Sequence, residues 1–422
     1  MATETRTSTT TTLQVSGDDG GPRGQPDISY HPDKEKWQAR TARRLREESQ
    51  TLQKSVPAGF PEKLTGDLVW DGKTLAEKYD WTYVFSPEQL DEIDRALAHF
   101  RGLDKPLGYI NQETFPLPTL HPELRRLSAE LHDGHGFFVL RGLPVSAYTR
   151  LENIIIYAGL SSHVAPQRGR QDHKFDNDKA DVVLTHIKDL SYSAENRSFI
   201  GSPAYTTDKQ VFHTDSGDVV SLFALETSAQ GGASKLASAW MVYNELAENR
   251  PDLIHTLAGD WDMEVFERSD KQSVQRPLLF HFPATAQTQT PERIALQYAR
   301  RYFVGFGALP RSRDIPPITE AQAEALDTLH FLGERFCVNT DFQKGDIQYV
   351  NNLAVFHARD GFVDTPEKSR HLLRLWLRDP ENAWENPKVL QWRWDQLFEG
   401  SNPETQVFPL EPYIRSASNK GR

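Results

Sequence analysis

The stretch QVFHTDSGDVVSLF, residues 210–223, sets His213 and Asp215 two positions apart inside an apolar, β-branched run. Burying an imidazole beside a carboxylate is costly unless something pairs with them. On a strand, residues i and i+2 project from one face, so His213 and Asp215 converge on one point while Thr214 turns the other way. Imidazole nitrogen and carboxylate oxygen suit a borderline divalent ion. A second histidine on the same face would complete a ligand set that leaves positions open for substrate.

The pattern H-x-[DE] is weak by itself, because this chain holds it three times: HPD at 31–33, HPE at 121–123 and HTD at 213–215. The first lies in the polar N-terminal region. The second opens a helix, where Pro122 and Glu123 are ordinary first-turn residues. Only the third sits in an apolar strand, and for it alone a hydrogen-bonded polar pair at a strand end stays the competing reading. Its candidate partner is His357 in NNLAVFHARDGF, 357 − 213 = 144 residues on, at the end of another strand. Beyond it, RHLLRLWLR (370–378) places Arg370, Leu372, Arg374, Trp376 and Arg378 on one face and His371, Leu373, Leu375 and Leu377 on the other. The apolar face packs against other structure. The arginine face calls for anions, supplied either by an organic acid inside a barrel or by water and nearby acids.

The rest of the chain bounds the class of molecule. Its 422 residues, 38% hydrophobic, suit one large domain with additions, or two domains. Net charge is 48 − 59 = −11, spread along the chain, which disfavours a nucleic-acid or anionic-membrane surface. The single cysteine, Cys337, excludes internal disulfides and CxxC sites and reads as a small buried hydrophobe. The longest apolar run, around NIIIYAGL, is too short to span a membrane, and MATETRTSTTTTLQ lacks the apolar core of a secretory signal. A cytoplasmic location is therefore expected.

Residues 1–28, rich in Thr, Ser, Gly and Asp, are expected to be disordered. Residues 33–53 read as an exposed helical arm whose Arg40, Arg43, Arg44 and Arg46 face solvent. Helices follow at 86–103 and 121–134, then a buried strand, GFFVLRGL, at 136–143. Strand-like runs crowd the second half at 181–187, 211–225, 234–243, 293–303, 346–358 and 370–378. Without regular βαβ alternation they suggest an antiparallel sandwich or barrel with helices outside. No GxGxxG follows a strand, and there is no P-loop and no GxSxG elbow.

Taken in order, FHTD, GGAS, NNLAVFHARDGF and RHLLRLWLRD resemble the TauD/TfdA-type Fe(II)- and 2-oxoglutarate-dependent dioxygenases, the last block being closest to the family's fungal branch. GFFVLRGL is similar to the family's opening strand, and the resemblance covers roughly residues 130 to 380. It implies a mainly β fold with surrounding helices (α+β) around a double-stranded β-helix (jelly-roll) core of the clavaminate synthase-like kind. The implied organisation is a tail at 1–28, a helical arm and cap at 29–129, the dioxygenase domain at 130–380 and a C-terminal extension at 381–422. It makes His213, Asp215 and His357 the iron ligands and gives Arg370 the distal carboxylate of 2-oxoglutarate. Ser234 stands in GGAS where the family usually has threonine, as a hydroxyl donor to that carboxylate. Arg374 matches the arginine that reaches a sulfonate or sulfate on the substrate, near the co-substrate. The spacing 370 − 357 = 13 is longer than usual and leaves an exchange of roles between Arg370 and Arg374 open. His163 and His186 are candidates for the family's substrate histidines, with structural hydrogen bonding as the competing role. Arg300 and Arg301 are candidates for binding a substrate anion, against a strand-edge or surface role.

The implied cofactor is Fe(II), with 2-oxoglutarate and O₂ as co-substrates. The products are succinate, CO₂ and a substrate oxidised at C–H. Related halogenases replace the carboxylate ligand by a small residue, so Asp215 favours hydroxylation. Taurine or another sulfonate is the substrate by resemblance, and a secondary-metabolite hydroxylase or desaturase is the alternative. A non-catalytic jelly-roll binding protein and a zinc hydrolase using the same three ligands are the rivals from other classes. The partner is a small molecule rather than nucleic acid or membrane, and homo-oligomerisation is left open.

Overall fold

The structure is a computed structural model that describes residues 21–266, 273–285 and 291–421. The opening stretch lies where two sheets meet. Gln210–His213 is an outer strand of a four-stranded sheet, and Val219–Glu226 is a central strand of a seven-stranded one. Between them the chain turns through Gly217, whose φ of 88° suits glycine. The continuous strand expected over 211–225 is therefore broken: two hydrophobic runs separated by SGD serve different sheets.

The smaller sheet orders Val338–Asn339, Ser234–Ser238, Val355–Arg359 and Gln210–His213, all antiparallel. The larger orders Thr82–Val84, Phe137–Arg141, Ile347–Asn351, Val219–Glu226, His371–Arg378 and Gln167–Arg168, with Leu184–Lys188 also paired to His371–Arg378. Its pairs are antiparallel except the first, which is parallel. Between the sheets, Phe137, Val220, Val350 and Trp376 of the larger pack with Leu236 and Val355 of the smaller. This is the jelly-roll core.

Helices cover both outer faces. Leu373, Leu375 and Leu377, the odd positions of the last long strand, pack with Phe138 and Phe223 against Ile93, Phe100, Leu124 and Ile154. Those residues belong to helices Pro87–Gly102, His121–Asp133 and Arg150–Val164. On the smaller sheet, Phe212, Ala237 and Phe356 meet Leu326, Leu329 and Phe336 of helix Glu320–Phe336. Among the described residues no helix is long and apolar enough to cross a membrane.

Several expected elements are shorter or differently placed. The run 234–243 is a strand only to Ser238, whose hydroxyl accepts from Met241 N (3.0 Å) and caps helix Ala239–Asn249. The run 293–303 is a strand only over Arg293–Leu296, and Arg301–Val304 forms a helical turn. The runs 181–187 and 346–358 each divide, the latter into Ile347–Asn351 and Val355–Arg359. Cys337 is half-buried. Of the tail expected at 1–28, residues 1–20 lie outside the described residues. Residues 21–28 pack on the body instead: Gln25 Nε2 donates to the Phe303 carbonyl (2.9 Å), and Gln25 Oε1 accepts from Ile318 N (3.1 Å).

The arm helix is Lys34–Glu47, capped by Asp33 of the first H-x-[DE] match. Its basic cluster does not all face solvent: Arg40 and Arg44 are buried. Arg40 Nη1 pairs with Asp327 (2.7 Å) and Arg44 Nη1 with Glu324 (2.5 Å), because helix Glu320–Phe336 presents carboxylates on the side where the arm lies. Arg43 and Arg46 stay exposed.

Candidate active site

His213 ends its strand, and His357 stands opposite it in register on Val355–Arg359, with ring centroids 4.2 Å apart. Asp215 lies just past the strand end, not on it, and its Oδ1 comes 4.0 Å from His213 Nε2. One ligand atom from each of the three lies within 4.8 Å of the others, the only such histidine–carboxylate group among the described residues. The turn is held by its backbone. Asp215 N donates to Asn352 Oδ1 (2.8 Å), and Asn352 Nδ2 donates back to the Asp215 carbonyl (2.7 Å) and to that of Gly217 (2.8 Å). Thr214 is tied elsewhere, its amide donating to the Tyr298 carbonyl at 2.8 Å.

Burial works against the Asp215 charge, but Arg374, His357 and His213 outweigh it and hold the carboxyl well below the usual carboxylate range. Arg374 Nη1 (2.8 Å) and Trp376 Nε1 (3.2 Å) both donate to Asp215 Oδ2. Burial also lowers both imidazoles, and together with His213 it takes His357 to about 3. Both rings are therefore neutral near pH 7. His213 Nδ1 donates to the Val211 carbonyl (2.9 Å), which fixes the tautomer, and the Gln210 amide lies 2.9 Å from His213 Nε2. His357 Nδ1 is buried with no hydrogen-bond partner among the described residues. Two neutral imidazoles and a carboxylate aimed at one point, one imidazole nitrogen being orphaned, fit a divalent transition metal.

The arginine face of strand His371–Arg378 is only partly met by acids. Arg374 pairs with Asp215 and Arg378 with Asp218, each at 2.8 Å. Arg370 forms no ion pair among the described residues. Its Nη1 is buried without a partner, and burial and the neighbouring Arg359 push its pKa well down. Ser234 is buried in the adjacent sheet, its hydroxyl donating to Gln348 Oε1 (3.3 Å) rather than meeting Arg370. Arg374 Nη2 is also buried and unpartnered, while its Nε donates to Gln171 Oε1 (2.9 Å).

An open cleft exposes His213, Asp215 and Arg374, and Arg300 and Arg301 line it as well. His163 and His186 do not. His163 bridges His121 (2.9 Å) and the Phe115 carbonyl (2.8 Å); His186 bridges His371 and the Pro409 carbonyl, both at 2.7 Å. Several site residues escaped the sequence reading. Trp376 was legible as an inward position beside Arg374. Gln171, Tyr30 and Arg415 sit in irregular segments with no pattern to mark them, although Tyr30 and Arg415 line the cleft.

Comparison with known proteins agrees with this geometry. The family model "Taurine catabolism dioxygenase TauD, TfdA family" matches residues 103–376. The taurine hydroxylase-like protein SAT17 of Stachybotrys chartarum (strain CBS 109288 / IBT 7711) is 36% identical over 364 residues, covering 83% of this chain and 90% of its own. FR-33289 synthase of Streptomyces rubellomurinus (strain ATCC 31215) is 25% identical over 336 residues, 78% of this chain and 93% of its own. Among solved structures, asparagine oxygenase in complex with Fe(II), 2S,3S-3-hydroxyasparagine and succinate superposes with a TM-score of 0.52 at 14% identity. That match covers 72% of this chain and 98% of the other, and it speaks for the fold alone. The family match across 103–376 and the kinship with the fungal relative show that the chain belongs to the TauD/TfdA family and is a 2-oxoglutarate-dependent dioxygenase that works with Fe(II) and O₂.

Proposed function

We propose that this dioxygenase hydroxylates a C–H of a small organic anion, with a sulfonate such as taurine as the reference head group, and that His213, Asp215 and His357 hold its iron. The observation that carries the reading is the shared cleft: His213 and Asp215 open onto the same space as Arg374. Bound Fe(II) would supply the centre at which O₂ oxidises 2-oxoglutarate to succinate and CO₂ with hydroxylation of the substrate.

The protein's own residues position and screen. Arg374 engages Asp215 Oδ2 and leaves Oδ1 on the His213 side, which orients the carboxylate. Arg370, buried and short of a partner, is assigned the distal carboxylate of 2-oxoglutarate, where a planar guanidinium offers two parallel donors and lysine would offer a point charge. Ser234 is assigned a supporting hydroxyl there, and this requires it to turn from Gln348. Arg374 keeps Nη2 for the substrate anion. The name of the fungal relative points towards taurine. A hydroxylase or desaturase of a larger metabolite is the alternative, favoured by an apolar recess that adjoins the cleft.

Succinate formation from 2-oxoglutarate, with Fe(II) and ascorbate, across a panel of sulfonates and small carboxylic acids tests the reading. Stimulation by at least one anion is expected, and His213→Ala should abolish both iron binding and turnover. Hydrolysis with zinc and no succinate with Fe(II) would overturn it in favour of a zinc hydrolase. Binding of the anions without turnover in either metal would overturn it in favour of a binding protein.

A further inference from the structure

Arg370 has a buried neighbour that is also short of partners. Arg359 follows His357 by two on strand Val355–Arg359, so its side chain leaves the sheet on the side of that proposed ligand. Ser234 stands directly opposite Arg359 on the adjacent strand, and direct cross-strand partners share a face. Arg370 reaches the same place from the start of strand His371–Arg378: a Cβ on Gly232 would stand 3.5 Å from its Cδ. Phe362 lies against both guanidinium groups, with Arg359 4.7 Å and Arg370 5.5 Å from its ring centre. Arg359, Arg370 and Ser234 are all buried. Arg359 Nη2 donates to the carbonyls of Pro203 (3.2 Å), Thr206 (3.1 Å) and Asp208. Those bonds pin a segment whose Pro203 and Ala204 line the cleft, but they use only that nitrogen. Arg359 Nε and Nη1 and Arg370 Nη1 are buried with no partner among the described residues. Asp364 Oδ1 takes the backbone N–H of Arg370 (2.9 Å), not its guanidinium. Burial and the like charge of Arg359 both disfavour the Arg370 cation. Orphaned donors on two neighbouring cations are costly unless an anion lies between them.

We propose that Arg359 is a second arginine ligand of the distal carboxylate of 2-oxoglutarate, which it holds together with Arg370 and the Ser234 hydroxyl. The proposal rests on the dioxygenase reading of His213, Asp215 and His357 and on the role assigned to Arg370 there. An ionised carboxylate has two oxygens with about four acceptor sites, and one guanidinium fills two of them. The sites left over suit the Arg359 nitrogens that no protein group takes. The pairing also sets selectivity. Without a terminal carboxylate, the two guanidinium groups repel each other in a buried place and keep their orphaned donors. A 2-oxo acid with an uncharged end therefore gains nothing from either arginine, and Arg359 acts on the charged end of the co-substrate alone.

The test is calorimetric titration of the full chain, loaded with Fe(II) under argon, with 2-oxoglutarate and with 2-oxovalerate, which carries a methyl group in place of the distal carboxylate. Wild type should favour 2-oxoglutarate. Arg359→Met should weaken 2-oxoglutarate roughly tenfold or more and leave 2-oxovalerate within about twofold, so that the ratio between the two acids falls. Arg359→Lys keeps a buried cation but replaces the planar fork by a point charge, and it should lower the ratio by less. Should Arg359→Met fail to fold, the ratio in Arg359→Lys decides. An Arg359 that acted only by pinning the 203–208 segment would weaken both acids alike or neither, and either result overturns the proposal. Loss of 2-oxoglutarate binding in Arg370→Ala with wild-type binding in the Arg359 variants overturns it alone. If wild type binds neither acid, the dioxygenase reading of the metal centre falls and takes this assignment with it, so the two failures are separable.

Discussion

Asp215 shows how much of a site can hang on one side chain. Its two oxygens are divided: Oδ2 takes Arg374 and Trp376, and Oδ1 faces His213. Trp376→Phe keeps an aromatic ring between the sheets but removes the 3.2 Å donor to Asp215, together with part of the indole face that Arg374 and Arg415 lie over. The lost hydrogen bond, of about 1 kcal/mol, should weaken Fe(II) affinity severalfold, as measured by metal titration, and the smaller ring should lower the melting temperature modestly. Arg370→Ala should act on a different ligand. It should raise the 2-oxoglutarate concentration for half-maximal succinate formation by roughly tenfold or more, while Fe(II) affinity holds. An unchanged requirement would move the co-substrate role to Arg374. His213, Asp215 and His357 were legible because their spacing and order survive in the sequence, whatever the fold does between them. Gln171 was not, since its bond to Arg374 spans 203 positions and nothing local marks it.

Elements were legible where the two faces of a strand differ in chemistry, even when both are buried. The alternation of 371–378 announced its outward leucines because a strand's period of two puts them all against the helices. Breaks were missed where a short turn or a cap interrupts a continuous hydrophobic run, as at Gly217 and Ser238. The arm helix departs from its expected exposure for a different reason: the acidic partners that bury Arg40 and Arg44 lie some 280 positions away. Glu324 is fully buried between Arg44 and Arg250. Burial opposes its charge, yet the hydrogen bonds from Arg250 and Arg44 prevail and keep the carboxyl below its ordinary range. Glu324→Gln removes the buried carboxylate shared by Arg44 and Arg250, leaving them Glu48 and Asp252, and should cost about 3 kcal/mol, read as a lower denaturant midpoint. The pH signature follows from the sign of the shift. A depressed carboxyl stabilises fully above its unfolded value of about 4.3, and this contribution fades as pH falls towards the folded value. Acidification from about 4.3 down through the folded value should therefore erode wild-type stability more steeply than that of Glu324→Gln.

At the scale of the whole molecule, the segment from about 130 to 380 that carries the family motifs borrows its packing from both sides. Ile93, Phe100, Leu124 and Leu127 close the outer face of the larger sheet from before residue 130. Trp384, Leu390 and Trp394 join the cluster over the smaller sheet from beyond 380. Trp394 Nε1 also donates to buried Asp218 Oδ2 (3.1 Å), the carboxyl that holds Arg378. Residues Gln406–Val407 pair in parallel with Asp181–Val182. Each large apolar side chain stripped of its cover gives up about 1.5–3 kcal/mol. Seven of them therefore exceed the 5–15 kcal/mol that a domain ordinarily has in reserve, near the middle of both ranges. A chain trimmed to residues 130–380 should consequently lack a cooperative thermal transition and bind a hydrophobic dye, even though every proposed metal ligand and Arg370 are retained. Adding back 21–129 alone should restore the larger sheet's cover but not the whole cleft, because Arg415, which lines it, would still be missing. Calorimetry of the two trimmed chains separates these outcomes: a sharp transition for 130–380 alone would show that the core carries its own stability.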